Sequence, residues 1–123
     1  MKARVLVVDD SALSRRTLRQ ILEGAGYDVV EAEDGLSALE RYFIEKPDVV
    51  LLDLVMKGMY GLDVLMKLRE LDTNAKVVIV SADIQTSSHE LVEAAGARGF
   101  VNKPFDRADI LDTLENVLTG VTE

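Results

Sequence analysis

The sequence has no cysteine, few basic residues and no long apolar run. Without cysteine, neither a disulfide framework nor a thiolate metal site can form. Lysine and arginine together number 14 against 22 acidic residues, which gives a net charge of −8. Among the basic residues only Arg15 and Arg16 are adjacent in the chain. Because nucleic-acid binding needs a basic patch, we expect no direct contact with nucleic acid.

The apolar runs are too short for a membrane protein. None approaches the ~20 residues that cross a bilayer, and the apolar run at residues 5–8 is too short for a signal peptide. We therefore expect a cytoplasmic protein with no membrane insertion. The 123 residues correspond to one domain, and their 48% apolar content suffices for a single core. We predict one domain over residues 1–123.

Short apolar runs alternate with stretches of helical periodicity along the whole chain. The runs cover residues 5–8, 28–32, 49–52, 77–80 and 99–102. Strands that alternate with amphipathic helices indicate βαβ units and a parallel sheet, with helices on both faces. We predict an α/β fold, a three-layer (βα)5 flavodoxin-like sandwich with a five-stranded parallel sheet in the order 2-1-3-4-5.

The second predicted helix illustrates how the buried faces are assigned. Leu36, Leu39 and Phe43 recur at three- and four-residue spacing, which predicts one apolar stripe facing the sheet. Pro47 ends this helix, because proline cannot donate the next helical hydrogen bond. A weaker helical pattern spans residues 87–95 and carries His89, which we interpret as a surface residue without a catalytic role.

Polar residues follow four of the predicted strands. Each alone has an ordinary explanation, as a helix cap, a turn residue or the start of a loop. In a parallel sheet, however, the carboxyl ends of the strands share one edge, and clustered carboxylates repel one another at low dielectric. A bound Mg²⁺ (or Mn²⁺) would relieve that repulsion. The residues at this edge are Asp9, Asp10, Asp53, Ser81 and Lys103.

This set of side chains suits phosphoryl transfer. Aspartate is a competent nucleophile that gives an acyl phosphate. Lys103 can balance negative charge, and the hydroxyl of Ser81 can hold an oxygen of an anion. Catalysis of phosphoryl transfer consists mainly of positioning and charge neutralisation. We therefore predict a divalent-cation site that serves a phosphoryl group.

The set also resembles the receiver domain of two-component response regulators, from Val5 to about Leu118, and is closest in form to the stand-alone chemotaxis-type receivers. The resemblance implies that Asp53 is the phosphoacceptor, modified by a sensor histidine kinase or a phosphotransfer protein. It implies that Asp10 binds Mg²⁺ directly, that Asp9 binds it mostly through water, and that the carbonyl of Val55 is a further ligand. Lys103 would pair with Asp53 or its phosphate.

The resemblance further implies a switch. Ser81 would move to hydrogen-bond the phosphate, and Phe100, the switch aromatic, would turn inward. The surface of the fourth helix, fifth strand and fifth helix would then bind an unknown downstream protein. The chain would be no enzyme beyond its own phosphorylation and dephosphorylation. The kinase would dock on Leu13, Ser14, Thr17, Pro104 and Phe105.

Three local features accompany the resemblance. The family commonly has proline four residues after the phosphoacceptor, where this chain has Lys57, so we expect a less rigid loop before Gly61. We also propose that Val55 and Asp83 tune how water reaches the acyl phosphate. The resemblance implies a cis peptide bond between Lys103 and Pro104, the type of bond in which the cis form is least costly.

Three alternatives are less consistent with the sequence. A flavin-binding electron carrier needs a phosphate loop after the first strand, where Asp9 and Asp10 would repel a phosphate. A haloacid-dehalogenase-type phosphatase needs an aspartate nucleophile after the first strand and a second aspartate two residues further on, and the adjacent Asp9 and Asp10 do not have that spacing. A pseudo-receiver would lack part of the acidic, hydroxyl and lysine set. The chain ends at Glu123, so it is a single-domain regulator or an excised receiver, expected as a monomer or weak dimer. The sequence identifies neither the kinase nor the target.

Overall fold

Five strands form one parallel sheet in a computed structural model that describes residues 2–56, 59–82 and 86–120. In chain order the strands and helices are β1 Arg4–Val8, α1 Ala12–Gly24, β2 Asp28–Ala32, α2 Gly35–Glu45, β3 Val49–Leu52, α3 Gly61–Leu71, β4 Val77–Ser81, α4 Thr86–Ala94, β5 Gly99–Asn102 and α5 Arg107–Thr119. A small antiparallel hairpin, Val55–Met56 with Met59–Tyr60, connects β3 to α3.

The order of the strands in the sheet is β2-β1-β3-β4-β5, and every neighbouring pair is parallel. This confirms the predicted flavodoxin-like topology. The strand β1 lies between β2 and β3, so that Val5 pairs with Val29 on one side and Val49 on the other. The chain therefore reverses its direction of winding between β1 and β3, which is the position where open α/β sheets bind ligands.

Helices cover both faces of the sheet, so its central strands are apolar on both sides. All residues of β3 are buried, with Val50 and Leu52 facing one layer and Val49 and Leu51 the other. One layer contains α1 and α5, and the opposite layer contains α2, α3 and α4. Within the described residues, no helix is long and apolar enough to cross a membrane.

The orientation of α2 differs from the predicted one. Leu36 and Phe43 are 68% and 53% exposed, whereas Ala38 is fully buried. Ala38 belongs to the core on the α2, α3 and α4 side of the sheet, and the partly buried Leu39 and Tyr42 pack against that core. The small side chain of Ala38 lets the helix lie close to the sheet, and the Tyr42 hydroxyl donates to Asp72 Oδ2 at 2.7 Å. Lys57 and Asp83, which the sequence singled out, lie outside the described residues.

Gly61 permits a close approach of two backbone segments next to Asp53. Its N–H donates to the Leu54 carbonyl at 2.7 Å. A Cβ atom at this position would lie 2.7 Å from Leu54 Cα and 2.9 Å from the Leu54 carbonyl oxygen. Backbone atoms at that distance cannot rotate away, so only glycine fits here. The first residue of α3 is thereby held against the end of β3.

We predict that Gly61→Ala lowers the free energy of unfolding by about 1–3 kcal/mol, the usual cost of overpacking. Gly24→Ala is the control, because its Cβ would meet nothing closer than the end of the Arg107 side chain at 3.4 Å. Alanine favours a helix, so the control should be neutral or raise stability by up to about 1 kcal/mol. Urea denaturation measures both. Equal stability of the two variants would contradict the close-approach argument.

Candidate functional site at the carboxyl edge of the sheet

The acidic side chains converge where β1 and β3 end. The Asp53 N–H donates to the Val8 carbonyl at 2.9 Å, and the Asp9 N–H donates to the Ala32 carbonyl at 3.2 Å. These bonds continue the sheet by one residue and place the two carboxylates side by side. Asp10 follows at the surface. The ligand oxygens of Asp9, Asp10 and Asp53 lie within 4.8 Å of one another.

Lys103 lies between the two buried carboxylates of this cluster. Its Nζ is 2.9 Å from Asp9 Oδ2 and 3.4 Å from Asp53 Oδ2. The Lys103 N–H donates to the Ser81 carbonyl at 2.9 Å, which fixes the end of β5 against β4. The peptide bond to Pro104 is cis, as the resemblance implied. The lysine thus contacts Asp53, as the resemblance implied, although its shorter contact is with Asp9.

Burial and charge act in opposite directions on this pair of groups. Burial raises the pKa of Asp53, and the charge of Asp9 adds to this effect while Lys103 opposes it. Burial also disfavours the charged form of Lys103, but its hydrogen bond to Asp9 and the charges of Asp53 and Asp9 outweigh that effect and raise its pKa. The cluster therefore carries excess negative charge that a single ammonium does not offset.

This donor set fits a hard divalent cation. Carboxylate oxygens in a partly open pocket suit the octahedral coordination of Mg²⁺, which keeps several waters. Asp9 and Asp53 are 2% and 8% exposed, so water alone does not screen their charges. Val55 follows in the hairpin, and its N–H donates to Asp53 Oδ1 at 3.2 Å. Asp10, Asp53 and Asp9 could hold the ion, which would neutralise charge on bound phosphoryl oxygens.

Ser81 and Phe100 lie on the neighbouring strands β4 and β5. Ser81 is buried at the end of β4, next to Asn102 of β5. Phe100 pairs with Ile79 and is partly buried. Its ring is 4.7 Å from the ring of His89, centroid to centroid, at 78°. His89, interpreted from the sequence as a surface residue without a catalytic role, is thus exposed but contacts the predicted switch aromatic.

Of the five residues predicted to dock a kinase, three are exposed and two are partly buried. Leu13 is 71% exposed, and Pro104 is also at the surface. Thr17 is exposed, although its hydroxyl donates to the Leu13 carbonyl within α1. Ser14 is partly buried, and its N–H donates to Ser11 Oγ as part of the helix cap. Phe105 is also partly buried and packs against the core cluster of α1 and α5.

Sequence reasoning missed two contacts of this region, those of His89 with Phe100 and of Arg15 with Asp9. His89 precedes the buried Val92 by three positions, and residues three apart lie on the same face of a helix. This spacing was the available signal that His89 lies near the core. Arg15 donates from Nη1 to the Asp9 carbonyl at 2.6 Å. No spacing pattern in the sequence predicts that contact, because it joins the side chain of a helical residue to the backbone of a loop.

Comparison with known proteins identifies this arrangement. The family model described as response regulator receiver domain matches residues 5–115. The chain is 40% identical over 120 residues to the chemotaxis protein CheY of Thermotoga maritima, covering 95% of this chain and 98% of that protein. It is 36% identical over 119 residues to the chemotaxis protein CheY of Bacillus subtilis, covering 96% and 99%. A CheX–CheY–BeF3–Mg²⁺ complex from Borrelia burgdorferi has a TM-score of 0.90 at 34% identity, covering 94% of this chain and 88% of that one.

The chain belongs to the response regulator receiver domain family. It is a phosphorylation-activated switch of two-component signalling, of the CheY-like kind, and not a conventional enzyme. A receiver domain has a kinase as its partner. The acidic cluster is typical of the Mg²⁺ site of receivers.

We predict that Asp53→Asn stabilises the metal-free protein near neutral pH. Because burial raises the folded-state pKa of Asp53, its ionised form costs folding free energy once the pH exceeds the unfolded pKa of about 3.9. The cost is complete above the folded-state pKa and vanishes below the unfolded pKa. The advantage of asparagine should therefore shrink as the pH falls.

Urea denaturation in the presence of a chelator tests this prediction at about pH 7 and about pH 3.5, on either side of that transition. The exposed Asp112→Asn substitution on α5 serves as a control, with the same change in net charge and little expected effect on stability. A variant at Asp53 that is no more stable than wild type at neutral pH would contradict the electrostatic account of the cluster.

Proposed function

We propose that the chain forms one receiver domain that takes a phosphoryl group onto Asp53. The observation that carries this proposal is the convergence of Asp9, Asp10 and Asp53 at the β1–β3 switch point, where the Lys103 ammonium contacts Asp9 and Asp53. The Asp53 carboxylate is buried and accepts hydrogen bonds from the Val55 N–H and from Lys103 Nζ.

The chemistry follows from the roles of these side chains. A carboxylate oxygen of Asp53 forms a bond to phosphorus while the bond between phosphorus and a histidine nitrogen of the donor breaks, and the imidazole leaves. Asp10 and the Val55 carbonyl would bind Mg²⁺ directly together with Asp53, and Asp9 mostly through water. A bound Mg²⁺ would neutralise charge on the phosphoryl oxygens. Lys103 would pair with the new phosphate.

Ser81 and Phe100 then convey phosphorylation to the surface. The buried hydroxyl of Ser81 would move toward a phosphate oxygen, and Phe100 would turn inward into the space that Ser81 leaves. Support comes from their positions on adjacent strands and from the partly buried ring of Phe100. The equilibrium between the two states of the α4–β5–α5 surface would shift by a few kcal/mol.

The partners follow from the exposed surfaces. A sensor histidine kinase or a phosphotransfer protein would dock on the exposed Leu13, Thr17 and Pro104 and on the partly buried Ser14 and Phe105. The downstream target is a protein that recognises the α4–β5–α5 surface. Acidic side chains on α5, among them Asp112, argue against a nucleic-acid partner. We place the protein in the cytoplasm, as a monomer or weak dimer.

Phosphorylation at Asp53 is tested with acetyl phosphate and Mg²⁺. We expect wild type to gain the mass of one phosphoryl group, in a reaction that a chelator prevents, because the acidic cluster needs a cation to receive an anion. Intact-protein mass spectrometry measures the gain. Asp53→Asn should gain nothing, and the matched control Asp112→Asn should behave as wild type. Modification of the Asp53 variant would refute the assignment.

The switch is tested through His89, the one histidine of the sequence. The ring current of Phe100 displaces the ring-proton signals of His89 because the two rings are 4.7 Å apart. When beryllofluoride and Mg²⁺ activate the protein, those signals should move toward their positions in a Phe100→Leu variant. Proton NMR measures this shift.

Ser81→Ala provides the matched control for the coupling step. It should bind beryllofluoride while the His89 signals stay at their inactive positions, because the hydroxyl that pulls on the phosphate group is gone. Signals that move equally in wild type and in Ser81→Ala would show that Phe100 responds by another route.

A further inference from the structure

A second cation approaches the acidic cluster from α1. Arg15 lies one turn into that helix, and its side chain is 15% exposed. Its Nη1 donates to the backbone carbonyl of Asp9 at 2.6 Å. Arg15 therefore contacts the main chain of the cluster, whereas Lys103 contacts the carboxylates of Asp9 and Asp53.

Glu31 of β2 holds Arg15 in this position. Arg15 Nε donates to Glu31 Oε1 at 3.0 Å, while the other carboxylate oxygen accepts a hydrogen bond from Arg19 Nε at 2.6 Å. Glu31 is thus shared by two arginines one helical turn apart. Arg15 donates to Glu31 and to the Asp9 carbonyl from two different nitrogens, Nε and Nη1, which the planar guanidinium holds in a fixed fork. The compact ammonium of a lysine does not reproduce that fork.

The consequence is that all four polar groups of Asp9 are fixed. Its N–H donates to Ala32, and its carbonyl accepts from Arg15. One carboxylate oxygen accepts from the Ser11 N–H at 2.9 Å and the other from Lys103 at 2.9 Å. The backbone that leads to Asp10 is therefore set before any ion binds.

We propose that Arg15, oriented by Glu31, is a positioning residue for divalent-cation binding at the acidic cluster. The proposal rests on the proposed function of that cluster. Groups that hydrogen-bond to metal ligands and orient them contribute about 10–100-fold to metal affinity. Arg15 does this through the Asp9 carbonyl, and Glu31 also keeps its guanidinium from turning toward the carboxylates, where it would compete with the ion.

Calorimetric titration of the full chain with Mg²⁺ alone tests the proposal. Arg15→Ala should raise the dissociation constant about tenfold. The control is Arg16→Ala, which removes the same charge from an exposed neighbouring position and should stay within about twofold of wild type. Arg15→Lys keeps the charge but lacks the two separated donor nitrogens, so its affinity for Mg²⁺ should still fall at least about threefold.

Hydrogen exchange in the metal-free protein supplies a readout that does not depend on the ion. The Ser11 amide, which donates to Asp9, should exchange faster in Arg15→Lys and Glu31→Gln than in Arg16→Ala. These two variants decide the matter if Arg15→Ala does not fold. If they bind Mg²⁺ as the control does, the proposal is wrong while the proposed function stands. If wild type binds no Mg²⁺ at the cluster, the proposed function itself fails.

Discussion

Two buried carboxylates share the ammonium of Lys103, and the rest of the site depends on that contact. Asp9 and Asp53 would repel each other strongly in a region of low dielectric, and the lysine reduces this repulsion without removing it. Desolvation still raises the pKa of Asp53. The folded chain therefore keeps an unbalanced negative cluster, which a divalent cation and then a phosphoryl group can use.

The fold supplies the elements that keep this cluster together. The β2-β1-β3-β4-β5 order brings Asp9 and Asp53 to neighbouring strand ends, and β5 brings Lys103 across to them. Gly61 lets α3 begin directly against the end of β3. On the opposite side, β4 and β5 lead from the cluster to Phe100 and the α4 surface. These two strands carry Ser81 and Phe100, the residues that we propose convey a change of charge at Asp53 to the exterior.

Much of this was predictable from sequence. Continuous apolar runs identify strands that are buried on both faces, and their alternation with helices determines a parallel sheet. The polar residues at the strand ends then follow as one cluster. The rotation of α2 was not predictable, because Leu36 and Phe43 fit a helical stripe as well as Ala38 and Tyr42 do. Packing of a small residue against the sheet decides between them.

Contacts that join distant segments were also beyond sequence reasoning. The shorter distance from Lys103 to Asp9 depends on the geometry of the β5 end. The edge contact of His89 with Phe100 and the link from Arg15 to the Asp9 carbonyl depend on how α4 and α1 lie on the sheet. Such contacts are tertiary, and no local propensity encodes them.

We conclude that the cluster at the β1–β3 switch point is the divalent-cation site of this chain. Titration with Mn²⁺, followed by two-dimensional NMR of the backbone amides, is the decisive experiment because a paramagnetic ion broadens nearby signals. The signals of Asp9, Asp10 and Asp53 should disappear first, at substoichiometric Mn²⁺. Earlier loss of the signals of Asp106 and Asp109, at the acidic start of α5, would show that the ion binds elsewhere.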